Sequence, residues 1–339
     1  MSAVSVVTMA EYGRVNGLIH WRLALIPRVL STLNEMNRIS MRANNNGVWL
    51  EYEVHPAQSV GLESVPARAS VLLIMGLGLQ LISWPPSLIG GLTQAGFQVI
   101  TMDNRDVGLS TKFDHEGMPN LLWQGLKQKM GLQVQTAYTL EDMSTDAVAV
   151  LDACGVQKAH VLGMSMGGMI AQRLAIHAPQ RVLNLVSLMS SSGAKDLPGP
   201  QTELLQRMFA APKEQTLDAY VTQAMGVLDA LASPGFRDDL QSMRERVVQA
   251  IERSYHPAGV LRQMSAVMSD SARAQLLYKI KAPTLVIHGL VDPLVPIACG
   301  LDTVKRIPGA QWMEIKNMSH DLPQCLVPLV LARLIEFFQ

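Results

Sequence analysis

The chain has 339 residues, of which 48% are hydrophobic and 17% are charged. Its length suits two average domains or one α/β domain with an insertion, and its composition excludes wholesale disorder. Lysine and arginine total 28, as do aspartate and glutamate, so the formal net charge is zero. Without a net positive field, the chain is a poor candidate for binding nucleic acid.

The first residues differ in pattern from the rest of the chain. Between residues 18 and 33, apolar side chains recur at helical spacing, with Pro27 as a kink or break. We interpret residues 1–45 as an N-terminal helical extension that ends at the turn 44–47. The favoured interpretation is packing against its own domain or a partner subunit, as in a homodimer, and peripheral membrane contact is the alternative.

After this turn, strand-like and helix-like segments alternate, which predicts an α/β fold with a mostly parallel sheet flanked by helices. Short apolar runs without polar interruption indicate strands that are buried on both faces. The capping sequence Thr139-Leu-Glu-Asp142 predicts a helix start, and Gly155 its end. Strands are predicted over 48–54, 71–75, 98–102, 159–162, 182–189, 284–288 and 311–315, and the other helices over 87–95, 166–177 and 326–338.

One long stretch interrupts this alternation. Residues 194–281 have helical periodicity, no convincing strand and several prolines, so we predict an inserted helical cap there. The predicted α/β core is then residues 46–193 and 282–339. The methionines of the inserted stretch are interpreted first as core residues, and they would also suit an adaptable apolar pocket.

The most specific motif is Gly163-Met164-Ser165-Met166-Gly167, between a short buried strand and an apolar helix. A serine in such a tight turn has a strained backbone and needs small residues two positions before and after it. N–H groups at the start of the following helix lack helical partners and attract an anion. The motif therefore predicts that Ser165 is a nucleophile.

A serine hydroxyl is a weak nucleophile near neutral pH and needs a base. In sites of this type the chain order is serine, acid, histidine, and only His256, His288 and His320 follow Ser165. His288 lies inside a predicted strand, and His256 lies in the predicted cap. His320 lies in a loop between the last predicted strand and helix, so we predict that it is the base.

Asp292 is the predicted acid, because it follows a predicted strand in a loop rich in proline. Its carboxylate can accept a hydrogen bond from His320 and fix the tautomer of the ring. Asp196, which follows the strand predicted over 182–189, is the rival position. Asp321 is interpreted as a charge at a helix N-terminus.

Acyl transfer also needs hydrogen-bond donors for the developing oxyanion. The backbone N–H of Met166 is one predicted donor, and that of Leu77 is the other, in the glycine-rich loop Gly76-Leu77-Gly78. This loop lacks the sequence features of phosphate-binding and dinucleotide-binding loops.

Taken together, residues 74–78, residues 103–110, the Ser165 turn, Asp292 and His320 resemble the α/β-hydrolase superfamily. The first two segments resemble the branch that contains aclacinomycin methylesterase and related small-ester hydrolases. The resemblance covers about residues 47–338 and implies an α/β-hydrolase fold with an inserted cap. Most relatives have His-Gly where this chain has Met75-Gly76, which removes a polar side chain but leaves the backbone donor in place.

The resemblance further implies that Asp103 and Arg105 brace the loop beside the active site. It implies a serine hydrolase that cleaves a hydrophobic small ester through an acyl-enzyme, with no metal or organic cofactor. Lactone, thioester, amide or peracid chemistry on the same residues stays open as an alternative. So does a non-catalytic ligand-binding protein with this fold.

The three cysteines, Cys154, Cys299 and Cys325, match neither a disulfide framework nor a zinc site. They predict reduced thiols and a cytoplasmic location. No apolar run reaches the roughly 18 residues of a membrane span, and residues 1–10 lack the positive start of a signal peptide.

Overall fold

The computed structural model describes residues 39–58, 68–130, 132–210 and 212–339. The helix predicted over residues 18–33 lies outside the described residues. The homodimer and the membrane contact that we associated with this helix therefore stay predictions. Within the described ranges, every helix is too short or too polar to cross a bilayer.

The described strands are β1 Ile39–Asn45, β2 Val48–His55, β3 Ser70–Ile74, β4 Val99–Met102, β5 Ala159–Met164, β6 Val182–Leu188, β7 Thr284–Gly289 and β8 Gln311–Ile315. They form one sheet in the order β1-β2-β4-β3-β5-β6-β7-β8. β2 is antiparallel to both of its neighbours, and the six strands from β3 to β8 are mutually parallel. The α/β class with a mostly parallel sheet is thereby confirmed.

The central strands are buried along their whole length, which explains their unbroken apolar runs. Ile74 of β3 is opposite Gly163 of β5, which is opposite Ser187 of β6. The carboxyl ends of these strands therefore lie level at one edge of the sheet. In open parallel sheets this edge is where ligands bind.

Helices cover the sheet, and the helix Leu140–Ala153 begins with the capping box that its sequence predicts. The Thr139 hydroxyl accepts a hydrogen bond from Asp142 N at 3.1 Å, and the Asp142 carboxylate accepts one from Thr139 N at 2.8 Å. The helices are α1 Pro86–Gln94, α2 Leu121–Lys129, α3 Leu140–Ala153, α4 Met166–His177, α5 Thr202–Phe209, α6 Leu217–Leu231, α7 Leu240–Arg253, α8 Pro257–Ser269, α9 Ile297–Arg306 and α10 Val327–Phe337.

The predicted boundary of the N-terminal extension at residue 45 is wrong. Residues 39–45 form β1, which pairs with β2 from Ile39 opposite Val54 to Asn45 opposite Val48. Apolar and polar residues alternate from Ile39 to Ala43, a pattern that fits a strand at the edge of the sheet. The core sheet therefore begins at Ile39.

Between β6 and β7, the chain forms α5 to α8 and a 3₁₀ segment, Ser271–Lys279. We call residues 194–281 the inserted segment, and its described part contains no strand. Five of its large apolar side chains, which we interpret first as core residues and alternatively as the lining of a pocket, are half-buried, namely Met208, Phe209, Met225, Met264 and Met268.

Candidate active site

Ser165 occupies the turn between β5 and α4 with φ of +54° and ψ of −121°. This conformation is costly for any residue but glycine, and such strain persists only where the surroundings hold it. Ser165 N donates to the Leu188 carbonyl at 2.9 Å. The Ser165 carbonyl accepts hydrogen bonds from Gly168 N at 2.9 Å and from the Ser190 hydroxyl at 2.7 Å. The turn is therefore fixed on both sides of the serine.

The glycines of the motif are required by close packing of backbone. A Cβ atom on Gly163 would lie 2.1 Å from the Gly167 carbonyl oxygen, and one on Gly167 would lie 2.0 Å from the Ile74 oxygen. Real Cβ atoms do not approach that closely, so any side chain would push α4 away from β3 and β5. The expectation of small residues around Ser165 is thereby confirmed.

The structure brings Ser165, Asp292 and His320 into one hydrogen-bonded chain. His320 Nε2 lies 3.0 Å from Ser165 Oγ, and His320 Nδ1 lies 2.7 Å from Asp292 Oδ2. With Nδ1–H donating to the carboxylate, Nε2 is left to accept the proton of the serine hydroxyl. This arrangement can activate a serine for attack on a carbonyl carbon.

Asp292 is held in the turn after β7 by its second oxygen. Oδ1 accepts hydrogen bonds from Leu294 N at 2.9 Å and from Val295 N at 2.8 Å. The turn adjoins the loop of His320, because Val291 N donates to the Met318 carbonyl at 3.2 Å. The aspartate is thus fixed before it binds the histidine.

The loop after β3 adjoins Ser165, as the predicted oxyanion donors require. A Cβ atom on Gly76 would lie 3.2 Å from the Ser165 Cβ, and Leu77 follows Gly76 directly. Met166 is the first residue of α4, so its N–H has no partner within the helix. Both backbone positions can therefore offer donors beside the serine hydroxyl.

The rival candidates for base and acid do not join this chain. Buried His288 directs Nε2 to the Val295 carbonyl at 2.7 Å, and burial lowers the pKa of His288 below its usual value. His256 packs against Arg262, with 2.9 Å between His256 Nε2 and the Arg262 guanidinium. Asp196 is exposed, and no hydrogen bond ties it to His320 among the described residues.

Asp321 does not lie at a helix N-terminus, so that interpretation is wrong. The next α-helix, α10, begins at Val327. The Asp321 carboxylate instead accepts hydrogen bonds from the backbone N and the hydroxyl of Ser233 in the inserted segment. The residues around Asp321 in the sequence do not predict this long-range contact.

Asp103 braces two loops next to the site, as predicted. Its carboxylate accepts hydrogen bonds from Leu81 N at 2.7 Å and Leu109 N at 2.9 Å, and it pairs with Arg253 at 2.7 Å. Burial raises the pKa of Asp103, and the Arg253 guanidinium counteracts that effect. The carboxylate thereby ties the loops after β3 and β4 to the end of α7.

Arg105 is also a bracing residue. Its guanidinium makes a bidentate pair with Asp146 of α3, at 2.6 Å and 2.7 Å, and both side chains are buried.

Among the described residues, no cluster of three or more histidine, cysteine or acidic side chains could hold a metal ion.

Comparisons with known proteins identify the family to which the chain belongs. A family model described as alpha/beta hydrolase fold matches residues 69–323, so the chain belongs to the α/β-hydrolase fold family. Rhodomycin D methylesterase DauP of Streptomyces sp. (strain C5) is 31% identical over 280 residues, which cover 76% of this chain and 87% of that protein. The resemblance to the methylesterase branch is thereby confirmed.

Two further similarities extend the comparison. Pimeloyl-[acyl-carrier protein] methyl ester esterase of Aeromonas salmonicida (strain A449) is 24% identical over 245 residues, covering 66% of this chain and 91% of that protein. The crystal structure of a hydrolase from Pseudomonas aeruginosa PA01 superposes with a TM-score of 0.62 and 26% identity, covering 88% of this chain and 98% of that one.

Proposed function

We propose that this protein is a serine hydrolase that cleaves carboxylic esters through an acyl-enzyme. The observation that carries the proposal is the chain of hydrogen bonds from Ser165 Oγ through the His320 ring to Asp292. It supplies a nucleophile, a base and an orienting carboxylate in reacting geometry.

In the proposed mechanism, Ser165 Oγ attacks the ester carbonyl and gives its proton to His320 Nε2. Asp292 stabilises the resulting imidazolium, and the N–H groups of Leu77 and Met166 bind the oxyanion. Each such donor lowers the barrier by about 2.7–4 kcal/mol in related chemistry. His320 then protonates the departing alkoxide. A water molecule, deprotonated by His320, cleaves the acyl-enzyme and regenerates the serine.

For the substrate, we propose a methyl ester or another ester of a small alcohol, with a hydrophobic acyl part. The relatives named above as methyl ester hydrolases support the small alcohol. The half-buried methionines of the inserted segment support the apolar acyl part, because methionine adapts to irregular apolar groups.

We also propose that residues 194–281 act as a cap over the site, with the hydrolase core before and after it. The hydrogen bonds from Gly78 N to the Gln263 amide oxygen and from the Ser233 hydroxyl to the Asp321 carboxylate support this arrangement. A cytoplasmic location is proposed on the three free cysteines, Cys154, Cys299 and Cys325, since reduced thiols suit that compartment.

A substrate panel tests the reaction class. It contains methyl and para-nitrophenyl esters of graded acyl length, lactones and aminoacyl anilides. We expect the highest kcat/KM on esters, rising with acyl length while the apolar part still fits. A higher kcat/KM for lactones or anilides than for every ester would overturn the assignment.

Substitution of the nucleophile tests the mechanism. We expect Ser165→Ala to lower kcat to less than about a hundredth of wild type, since the covalent step is lost. The melting temperature should stay close to that of wild type, because the hydroxyl adds little to packing. Wild type should label with a fluorophosphonate and the variant should not. Folded wild type that fails to label would indicate a ligand-binding protein instead.

A further inference from the structure

We infer that Ser233 and Asp321 are positioning residues for His320, so that the inserted segment holds the base of the site in place. This inference rests on the proposed function. His320 N donates to the Leu231 carbonyl at 3.2 Å. Ser319 N donates to Ser233 Oγ at 2.8 Å. Ser233 in turn donates from its hydroxyl to Asp321 Oδ1, and from its backbone N to Asp321 Oδ2 at 3.1 Å.

These hydrogen bonds involve His320 and both of its neighbours in the sequence. Three consecutive loop residues, Ser319, His320 and Asp321, each bind within residues 231–233. Ser233 has no exposed surface and Ser319 is only 3% exposed, so water does not compete for the bond between these two residues. The loop is therefore fixed on both sides of His320 by one short stretch of the inserted segment.

The placement of that stretch follows from α6. This helix ends at Leu231, and the last carbonyls of a helix have no partner within it. The Leu231 carbonyl is thus free to accept from His320 N. Any shift of α6 would move this acceptor and the Ser233 hydroxyl together, and with them the histidine backbone.

The catalytic geometry is sensitive to such a shift. His320 lies between β8 and the 3₁₀ helix Gln324–Leu326, in a loop without regular structure of its own. An error of about 1 Å in the position of a catalytic group can cost about 10²-fold in rate. Holding Nε2 at 3.0 Å from Ser165 Oγ therefore requires that the loop be tied down.

Ser233→Ala tests this role, with Ser265→Ala as the matched control. Both serines are buried in the inserted segment, but the Ser265 hydroxyl has no hydrogen-bond partner among the described residues. We expect Ser233→Ala to lower kcat by about 10- to 100-fold with KM changed less than about twofold, and Ser265→Ala to change neither.

The rate of fluorophosphonate labelling per folded site separates positioning from folding. If Ser233 only stabilised the fold, its loss would lower the fraction of sites that label, while each folded site would label at the wild-type rate. The inference predicts the opposite, a slower rate at each folded site. Equal rates for Ser233→Ala and Ser265→Ala would overturn it.

Asp321 provides a second test that does not depend on the folding of Ser233→Ala. Asp321→Asn keeps an acceptor for Ser233 N and a polar partner for its hydroxyl, whereas Asp321→Ala removes both. We expect Asp321→Asn to retain most of kcat and Asp321→Ala to lose about as much as Ser233→Ala. Equal losses in the two Asp321 variants would show that the negative charge of Asp321 matters rather than its hydrogen bonds to Ser233, and would overturn the inference.

The two proposals fail in different ways. A wild-type protein that neither labels nor cleaves esters overturns the proposed function, and this inference with it. A wild-type protein that is active, with Ser233→Ala equally active, overturns only the positioning role.

Discussion

The two carboxylate oxygens of Asp292 have different hydrogen-bond partners and different roles. Oδ1 closes the turn after β7 by accepting from the backbone N–H groups of Leu294 and Val295, and Oδ2 accepts from His320 Nδ1. An amide in place of the carboxylate can keep the first set of contacts with its oxygen. It must then present its NH₂ group to His320.

Asp292→Asn should therefore separate folding from catalysis. We expect the turn and the melting temperature to stay close to wild type. The NH₂ group would favour the His320 tautomer that carries its proton on Nε2, which cannot accept the proton of Ser165. By analogy with the corresponding change in a serine protease, kcat should fall by about 10⁴-fold.

The control for this variant is Asp196→Asn, at the rival position that is exposed. Steady-state kinetics should give wild-type kcat and KM for Asp196→Asn. A fall of less than about tenfold for Asp292→Asn, or an equal fall in both variants, would remove Asp292 from the proposed mechanism.

At the scale of elements, α8 is tied to the loop that carries the proposed oxyanion donor. Gln263 is fully buried and uses both ends of its amide. Its oxygen accepts from Gly78 N at 2.9 Å, and its nitrogen donates to the Arg105 carbonyl at 2.8 Å. Gly78 itself has φ of +68° and packs against Val260 of α8. The direction of the Leu77 N–H thus depends on this helix.

Gln263→Ala should loosen this loop and lower kcat by about tenfold or more, since an oxyanion donor acts mainly in the transition state. KM should change little. Stability should also fall, by about 1–3 kcal/mol for each buried group left unpaired. Steady-state kinetics and urea unfolding measure the two effects separately.

Gln241→Ala is the control for Gln263→Ala, because Gln241 lies on α7 and its side chain is exposed. It should leave both kcat and the free energy of unfolding near wild type. A Gln263→Ala variant with reduced stability but wild-type kcat would limit Gln263 to a structural role.

The sequence predicts an element well where one physical cause, such as burial on both faces, determines the pattern of its apolar residues. Strands such as β3 and β5 are buried on both faces, so their apolar runs are unbroken. β1 was missed because an edge strand needs only alternate apolar residues, and polar asparagines end it. α2 was missed because its apolar side chains do not face a core, and Leu122 is 89% exposed.

The candidate site was predictable for a related reason. Ser165, Asp292 and His320 each follow a strand of the parallel sheet, and the carboxyl ends of such strands meet at one edge. Ser233 and Gln263 reach the same site from the inserted segment. Their hydrogen-bond partners lie 86 and 185 positions away in the chain, respectively. A local sequence pattern does not indicate contacts between residues so far apart.

At the scale of the whole molecule, the sheet and the C-terminal helix meet at a buried histidine. His160 of β5 stacks on Phe338 with ring centroids 4.3 Å apart, and its Nδ1 lies 3.0 Å from the Asn184 amide oxygen. Burial lowers the pKa of His160 from 6.5 to about 4, although the bond to Asn184 acts in the opposite direction. The ring is therefore neutral in the folded protein near neutral pH.

The depressed pKa of His160 makes stability depend on pH. Between about pH 6.5 and pH 4, the unfolded chain binds a proton at this residue that the folded protein does not. The free energy of unfolding therefore falls with decreasing pH in that window, with a limiting slope of about 1.4 kcal/mol per pH unit. His160→Phe keeps an aromatic ring against Phe338 and cannot titrate, so it should lose this contribution.

Urea unfolding of wild type and His160→Phe at several pH values measures the contribution as a difference. We expect the stability of wild type relative to the variant to decrease steadily from pH 6.5 to pH 4 and to stay constant above pH 7. A difference between wild type and His160→Phe that does not vary with pH would show that His160 has no depressed pKa, and that another group governs unfolding in acid.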